Sequence, residues 1–272
     1  MKRRGDEQGG RTLRVVEAAF FDLDKTVIAK SSTLAFGRPM YRAGLLGKRS
    51  LAKVAFAQAF YSLYGADHGQ LERARDQMLQ LTAGWHRSEI ESLVNETIHD
   101  IAEPLVFAEA LFLIDEHTRA GRTVFIVSAS PEEIVRPLAR YVGVDNVIAT
   151  RVRTDPEGRF IPELETYVMG EGKLEAIRDV AARNGVDLDK SFAYSDSVTD
   201  LPMLELVGNP VAVNPDRDLR KVAEEKEWPI LEFQRSVSLR SRLARPAPIG
   251  ATMTAAVAGA VAYAWLKRKQ NG

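Results

Sequence analysis

The 272-residue sequence contains no cysteine. A disulfide framework and a thiolate metal site are therefore excluded, and a reducing compartment is the easier fit. It has no excess charge of either sign, because 37 Lys and Arg offset 37 Asp and Glu. The basic surplus of a dedicated nucleic-acid binder is missing, so no nucleic-acid partner is expected. Histidine is scarce, and His68, His86, His99 and His117 are too scattered for metal-ligand spacing. The charged, Gly-rich start MKRRGDEQGGR is not followed by an apolar run, so it is not a secretory signal. Residues 1–12 read as a disordered tail. The bulk is neither disordered nor collagen-like, with 45% hydrophobic and 27% charged residues. At ~150 residues per domain, the length suits two domains or one with a large insertion.

Short apolar runs at 15–21, 122–128, 146–152, 190–195 and 210–214 read as buried strands. Helical patterns lie between them, at 172–183 and after Ser130. In the latter, Pro131 takes the first turn and Glu133 completes a capping box with Ser130. Strands alternating with helices predict an α/β fold built on a doubly wound parallel sheet. The turn signal TDPEG at 154–158 predicts a small hairpin interrupting the alternation. From 32 to 102 there is no convincing strand. That stretch reads as several helices punctuated by Gly44, Gly47, Gly65 and Gly84, inserted as a cap. A helix over 103–120 then returns the chain to the sheet. The expected organisation is a tail (1–12), a core (13–31 and 103–234), a helical cap (32–102), an Arg-, Ser- and Pro-rich linker (235–248) and a hydrophobic helix (249–269).

The sharpest local signal is Asp22-Leu23-Asp24-Lys25-Thr26, directly after an apolar strand. Strand side chains two apart face the same way. Asp22 and Asp24 therefore both point into the crevice beyond the strand's carboxyl end, where open α/β sheets bind ligands. Two carboxylates this close repel, so one is protonated or a cation sits between them. Either arrangement suits phosphoryl transfer, with one carboxylate attacking phosphorus and the other moving the proton. A solvated acidic turn would carry the same residues. Three further pieces bear on the choice. Ser128 ends the second strand, where its hydroxyl and nearby N–H groups suit a phosphate oxygen at a helix start; a plain helix cap is the other reading, for which Ser130 is the better candidate. Lys173 stands at a helix start in GEGKLEAI and suits neutralisation of a phosphoryl group, although a lone lysine is ordinarily a surface residue. The segment is not a P-loop, since Leu follows the Gly-Lys pair. Tyr194-Ser195-Asp196-Ser197-Val198-Thr199-Asp200 again follows an apolar strand, and Asp196 and Asp200 offer hard oxygen ligands suited to Mg²⁺.

In this order the four pieces resemble the haloacid dehalogenase-like phosphohydrolases, and within them the phosphoserine phosphatase-like subfamily IB, over about residues 15–233. The resemblance implies Asp22 as nucleophile and Asp24 as general acid/base. It implies Thr26, Ser128 and Lys173 around the phosphoryl group. Mg²⁺ would be held by Asp22, the backbone carbonyl of Asp24 and Asp196, with Asp200 in support. The helical insertion corresponds to the family's cap, which closes over the site and excludes water. Members that cleave carbon–halogen or phosphonate bonds lack the second aspartate, so Asp24 points to phosphate esters. Two positions depart from phosphoserine phosphatases: Ser31 stands where they carry a Glu that helps hold the substrate's amino-acid end, and Ser195-Asp196 stands where they carry Gly-Asp. The cap offers Arg38, Arg42, Lys48 and Arg49 near the aromatic stretch VAFAQAFYSLY. These form either a solvated face over cap packing, or a pocket for a larger anionic, partly apolar phosphate ester.

Between Ala247 and Leu266 no residue is charged, a run of about 20 residues that matches a membrane helix. Arg235, Arg240, Arg242 and Arg245 precede it and Lys267, Arg268 and Lys269 follow. Tyr263 and Trp265 near one end fit a membrane boundary. A membrane anchor and an Ala-rich helix docked on the body are both open. The leading expectation is a cytoplasmic, Mg²⁺-dependent phosphomonoester hydrolase acting on a small-molecule phosphate ester. A membrane-associated lipid-phosphate phosphatase and a non-catalytic, membrane-tethered binding protein on the same fold are the alternatives. Nothing in the sequence fixes an oligomeric state.

Overall fold

The computed structural model describes residues 16–47 and 68–234. The expected tail (1–12), Lys48, Arg49, the aromatic stretch 54–64, the linker (235–248) and the hydrophobic stretch (249–269) lie outside the described residues. Among the described residues no helix is long and apolar enough to cross a membrane.

The strands are β1 (Ala18–Asp22), β2 (Thr123–Pro131), β3 (Asn146–Thr154), β4 (Phe160–Thr166), β5 (Phe192–Ser195), β6 (Asn209–Val213) and β7 (Ile230–Leu231). They form one sheet in the order β4-β3-β2-β1-β5-β6-β7. All neighbours run parallel except β3 and β4, which pair antiparallel as the hairpin that TDPEG predicts. The strand order reverses at β1, and that is where a doubly wound sheet opens a crevice at its carboxyl ends. The helices are α1 (Ser32–Ala35), α2 (Gly37–Arg42), α3 (His68–Thr82), α4 (Arg87–Ala102), α5 (Ala108–Arg119), α6 (Glu132–Tyr141), α7 (Glu171–Asn184), α8 (Leu201–Leu206) and α9 (Arg217–Glu225).

All five residues of β1 are buried, as a central parallel strand covered on both faces requires. Alternation sends Ala19 and Phe21 into one apolar cluster, and Ala18 and Phe20 into the other. Between β1 and β2 the described residues form helices α1 to α5 joined by turns, with isolated bridges and no strand. Ile90, Val94 and Ile98 of α4 recur at helical spacing and share a cluster with Ile134 and Leu138 of α6. The start of α4 is fastened to the hairpin: Gly84 N–H donates to the Phe160 carbonyl (2.8 Å) and Phe160 N–H to that of Trp85 (2.9 Å). Arg87 donates to Glu133 Oε1 (2.9 Å) and to the Val152 carbonyl (2.8 Å). The two ends of the insertion also meet, with Ala29 N–H donating to the Leu105 carbonyl (2.8 Å) and Phe107 N–H to that of Val27 (3.0 Å).

Three local expectations are corrected. The single helix over 103–120 is instead α4 ending at Ala102, a turn, and α5 starting at Ala108. Pro104 has no N–H to continue the α4 ladder, and 105–107 pairs with 27–29 instead. The run 190–195 begins with a 3-10 turn at Leu188–Lys190, and the strand starts at Phe192. The capping box at Ser130 and Glu133 does not form: Pro131 is the N-cap of α6 with no side-chain cap, and Glu133 pairs with Arg87. The Ser130 hydroxyl is committed elsewhere, as described below.

Behind β1 the ring of Phe21 stacks on Tyr194 at 4.3 Å, and His117 Nε2 lies 2.7 Å from the Tyr194 hydroxyl. Burial, and then the Arg122 guanidinium, push the His117 imidazole down to about 3. A histidine held neutral in the fold and protonated when unfolded contributes stability that is complete above its ordinary value of ~6.5. That contribution is lost as pH falls from ~6.5 toward 3 and approaches several kcal/mol. His117→Gln is therefore expected to flatten the decline of urea-unfolding free energy between about pH 6.5 and pH 4 relative to the parent protein. Parallel declines in both proteins would assign the acid loss to other groups.

Candidate active site

β1 ends at Asp22, and the chain turns at once. Lys25 adopts a left-handed conformation (φ 63°), and the N–H groups of Val27 and Ile28 both return to the Leu23 carbonyl at 3.0 Å. This tight loop keeps Asp22 and Asp24 together at the crevice but gives them different neighbours. Asp22 Oδ1 accepts from Lys173 Nζ at 2.8 Å. Asp24 meets only neutral donors: Ser32 N–H on Oδ1 (2.7 Å) and the Ser130 hydroxyl on Oδ2 (3.2 Å).

Lys173 enters from the first turn of α7, next to Gly172. A Cβ at Gly172 would collide with the Tyr167 carbonyl, so only glycine lets α7 start this close to the chain leaving β4. The ammonium is 3% exposed as a residue and also lies 2.7 Å from Asp200 Oδ1. The other oxygen of Asp200 accepts from the Ser195 hydroxyl at 2.7 Å, and Ser195 in turn accepts from Ser197 N–H at 3.2 Å. Asp196 points a carboxylate to within 4.0 Å of Lys25 Nζ. Its loop is braced by Asp216, the N-cap of α9, which accepts from the Ser197 hydroxyl (3.1 Å) and Val198 N–H (3.0 Å).

The structure thus joins Asp22, Lys173, Asp200 and Ser195 in one contact set. Asp24, Ser130, Ser32 and Thr33 form a second, with Thr33 Oγ1 3.3 Å from the Ser130 hydroxyl. Ser128 is buried and adjoins the second set, its hydroxyl accepting from Ser130 N–H at 3.1 Å. Thr26 is fully buried, and its hydroxyl has no hydrogen-bond partner in the protein. Arg38 and Arg42 are exposed on α2 and contact neither set. The sequence offers Ser130 only as a helix cap and gives no role to Ser32, Lys25 or Asp216. One signal for Ser130 was available: on a strand it faces the same way as Ser128, two residues earlier.

Electrostatics follow from burial. Desolvation raises the Asp22 carboxyl well above its usual range; Lys173 opposes this, while Asp200, Asp196 and Asp24 add to it. Desolvation also raises Asp24, against the bonds from Ser32 and Ser130. Asp196 is pushed up to about 7 by burial, with Lys25 opposing and Asp200 and Asp216 adding. Burial would lower the Lys173 ammonium, but Asp200 and Asp22 outweigh it and hold the group protonated. Among the described residues, the cations facing these four carboxylates are Lys173 and Lys25. That excess of hard oxygen donors fits a hard divalent cation such as Mg²⁺. Among the described residues no three Asp, Glu or His side chains converge closely enough to hold a metal ion, and Lys173 stands between Asp22 and Asp200.

Removing the shared cation leaves two buried carboxylates unpaired. In chelator-treated protein at neutral pH, Lys173→Met is expected to cost about 3–5 kcal/mol in urea unfolding. The deficit shrinks as pH falls, because protonation removes the unpaired charge. Ser195→Ala, which strips one donor from Asp200, is expected to cost about 1–3 kcal/mol. Unfolding free energies equal to the parent's would remove these contacts from the account.

Comparison with known proteins bears on the same strands. The profile of the haloacid dehalogenase-like hydrolases matches residues 19–205. A probable phosphatase of Mycobacterium tuberculosis is 51% identical over 266 residues, covering 96% of this chain and 92% of its own. A phosphoserine phosphatase of the same species is 33% identical over 256 residues, covering 93% and 81%. Among solved structures, a Bordetella pertussis protein of unknown function aligns with a TM-score of 0.70 at 29% identity, over 80% of this chain and 98% of that one. Matches of this extent, running through both aspartate loops, place the chain in the haloacid dehalogenase-like hydrolase family, as a phosphatase.

Proposed function

We propose that the chain hydrolyses a small-molecule phosphomonoester, with Mg²⁺, through an aspartyl-phosphate on Asp22. The observation that carries this reading is the unequal holding of two carboxylates on one loop. Asp22 is bonded to an ammonium group, which favours the anion that attacks phosphorus. Asp24 is bonded only to neutral donors and is raised by burial, which suits a group that carries a proton. Lys173 alone does not offset burial and three neighbouring carboxylates at Asp22, so a further cation is needed to keep the nucleophile ionised.

In the first step an Asp22 carboxylate oxygen bonds to phosphorus, the ester P–O bond breaks, and the Asp24 proton passes to the departing alkoxide oxygen. In the second step Asp24, now anionic, takes a proton from water. The resulting hydroxide displaces Asp22 from phosphorus and releases inorganic phosphate. Ser128 and Lys173 hold the phosphoryl oxygens, Ser128 with its hydroxyl and Lys173 with its charge; Thr26 joins them only by its place in the motif. Mg²⁺, held by Asp22, the Asp24 carbonyl and Asp196 with Asp200 behind, would supply positive charge to the transferring group.

The helices of 32–102 act in this reading as the cap that excludes water. Arg38 and Arg42, exposed on α2, are its candidate contacts to an anionic substrate. Ser31, in place of a carboxylate, offers no anionic partner for a substrate ammonium, so phosphoserine is not the preferred ester. The intact acid set speaks against the non-catalytic alternative.

The test is phosphate release from phosphoserine, histidinol phosphate, sugar phosphates, nucleotides and lysophosphatidic acid, with and without Mg²⁺. Release is expected to require Mg²⁺, to be slowest with phosphoserine among its good substrates' neighbours in size, and to vanish in Asp22→Asn without loss of fold. Mass spectrometry of acid-quenched parent enzyme should find phosphate on the peptide containing Asp22. Activity retained in Asp22→Asn would sink the mechanism.

A further inference from the structure

Ser130 has a hydroxyl that does not cap the helix it precedes. It stands directly before α6, where a serine ordinarily caps the helix, yet the N-cap is Pro131 and no side chain caps it. The hydroxyl turns back across the crevice instead. It donates to Asp24 Oδ2 at 3.2 Å and accepts from the Ser32 hydroxyl at 2.9 Å. Ser130 and Ser32 are both buried, at 8% and 0% exposure, so water does not replace these partners freely.

The two oxygens of Asp24 are held by donors of different kinds. Oδ1 faces the Ser32 backbone N–H at 2.7 Å. That group can only donate, so it serves an oxygen that carries no proton. Oδ2 faces a hydroxyl, which can donate to a carboxylate and accept from a carboxylic acid. Oδ1 goes on accepting from Ser32 N–H in either state, so the proton comes and goes on Oδ2, where a hydroxyl can stay bonded to the oxygen whether or not it carries the proton. We propose that Ser130 is the positioning residue of the general acid: its hydroxyl keeps Asp24 Oδ2 aligned as that oxygen gives its proton to the leaving group and takes one back from water. Ser32 orients Ser130 by donating to it, which ties the first residue of α1 to the acid. This rests on the assignment of Asp24 as acid/base in the proposed function.

The signature is dependence on the leaving group. An acid matters when the departing oxygen is a strong base and matters little when it is a good leaving group. Two substrates suffice: 4-nitrophenyl phosphate, and the alkyl phosphate monoester turned over fastest in the panel above. Because hydrolysis of the phosphoenzyme is common to both esters, the readout is kcat/KM, which covers only the steps up to departure of the leaving group. Ser130→Ala is expected to lower kcat/KM on the alkyl ester about tenfold or more, on the scale of one lost hydrogen bond to a charged group, and to leave kcat/KM on 4-nitrophenyl phosphate within about twofold. Asp24→Asn is the reference and should show the same selectivity at about 100-fold or more. Equal losses on both esters in Ser130→Ala, or none, with Asp24→Asn selective, would overturn the role of Ser130 alone. An Asp24→Asn variant without selectivity would instead overturn the acid assignment beneath it. If Ser130→Ala is unfolded at the assay temperature, Ser32→Ala decides. It leaves the backbone N–H on Asp24 and removes the hydroxyl that donates to Ser130 and also lies against Asp24, so it must show the same selective loss; an unselective result overturns the proposal.

Discussion

The site depends on one buried ammonium group. Lys173 sits between Asp22 and Asp200, within 2.8 and 2.7 Å, with almost no access to water. Such an ion is tolerable only because it is shared by two carboxylates, and the carboxylates are tolerable only because of it. The geometry needed to hold it reaches far along the chain. α7 must start against the Tyr167 carbonyl, which requires Gly172. Ser195 must hold the far oxygen of Asp200. β1 and β5 must lie side by side so that Asp22 and the loop after Ser195 open on one crevice.

Around that ion the two aspartates of the first loop differ in their partners rather than in their own chemistry. Asp22 takes the charged partner and Asp24 the neutral ones. The same loop bends through a left-handed Lys25, whose half-exposed ammonium then faces Asp196. The backbone conformation that separates the two carboxylates therefore also places a second cation at the mouth of the site.

The sheet and the two aspartate loops at its carboxyl edge were legible in the sequence because each rests on local order. Fully buried parallel strands leave dense apolar runs, and the aspartates follow those runs directly. Ser130 was misread for a physical reason: before a helix, a serine's local choice is to cap it, and only the fold supplies Asp24 as a competing acceptor. The break between α4 and α5 had a local signal in Pro104, which the helical pattern on either side obscured. β7, at two residues, is too short to carry any alternation. Side-chain networks such as Arg87 with Glu133 join residues far apart in the chain, and no window of sequence contains them.

The meeting of 27–29 with 105–107 has a consequence for how such a protein can change over generations. The chain leaves the sheet and returns to it through a clasp of backbone hydrogen bonds, independent of the side chains between. Closing a longer or shorter loop across a fixed clasp changes the entropy of folding only slowly with length. The segment from the clasp to the next anchor near Gly84 is thus open to replacement while the chemistry of the sheet stays constant. An exchange within that segment leaves the bonds at the sheet untouched so long as Ser32 keeps its N–H on Asp24.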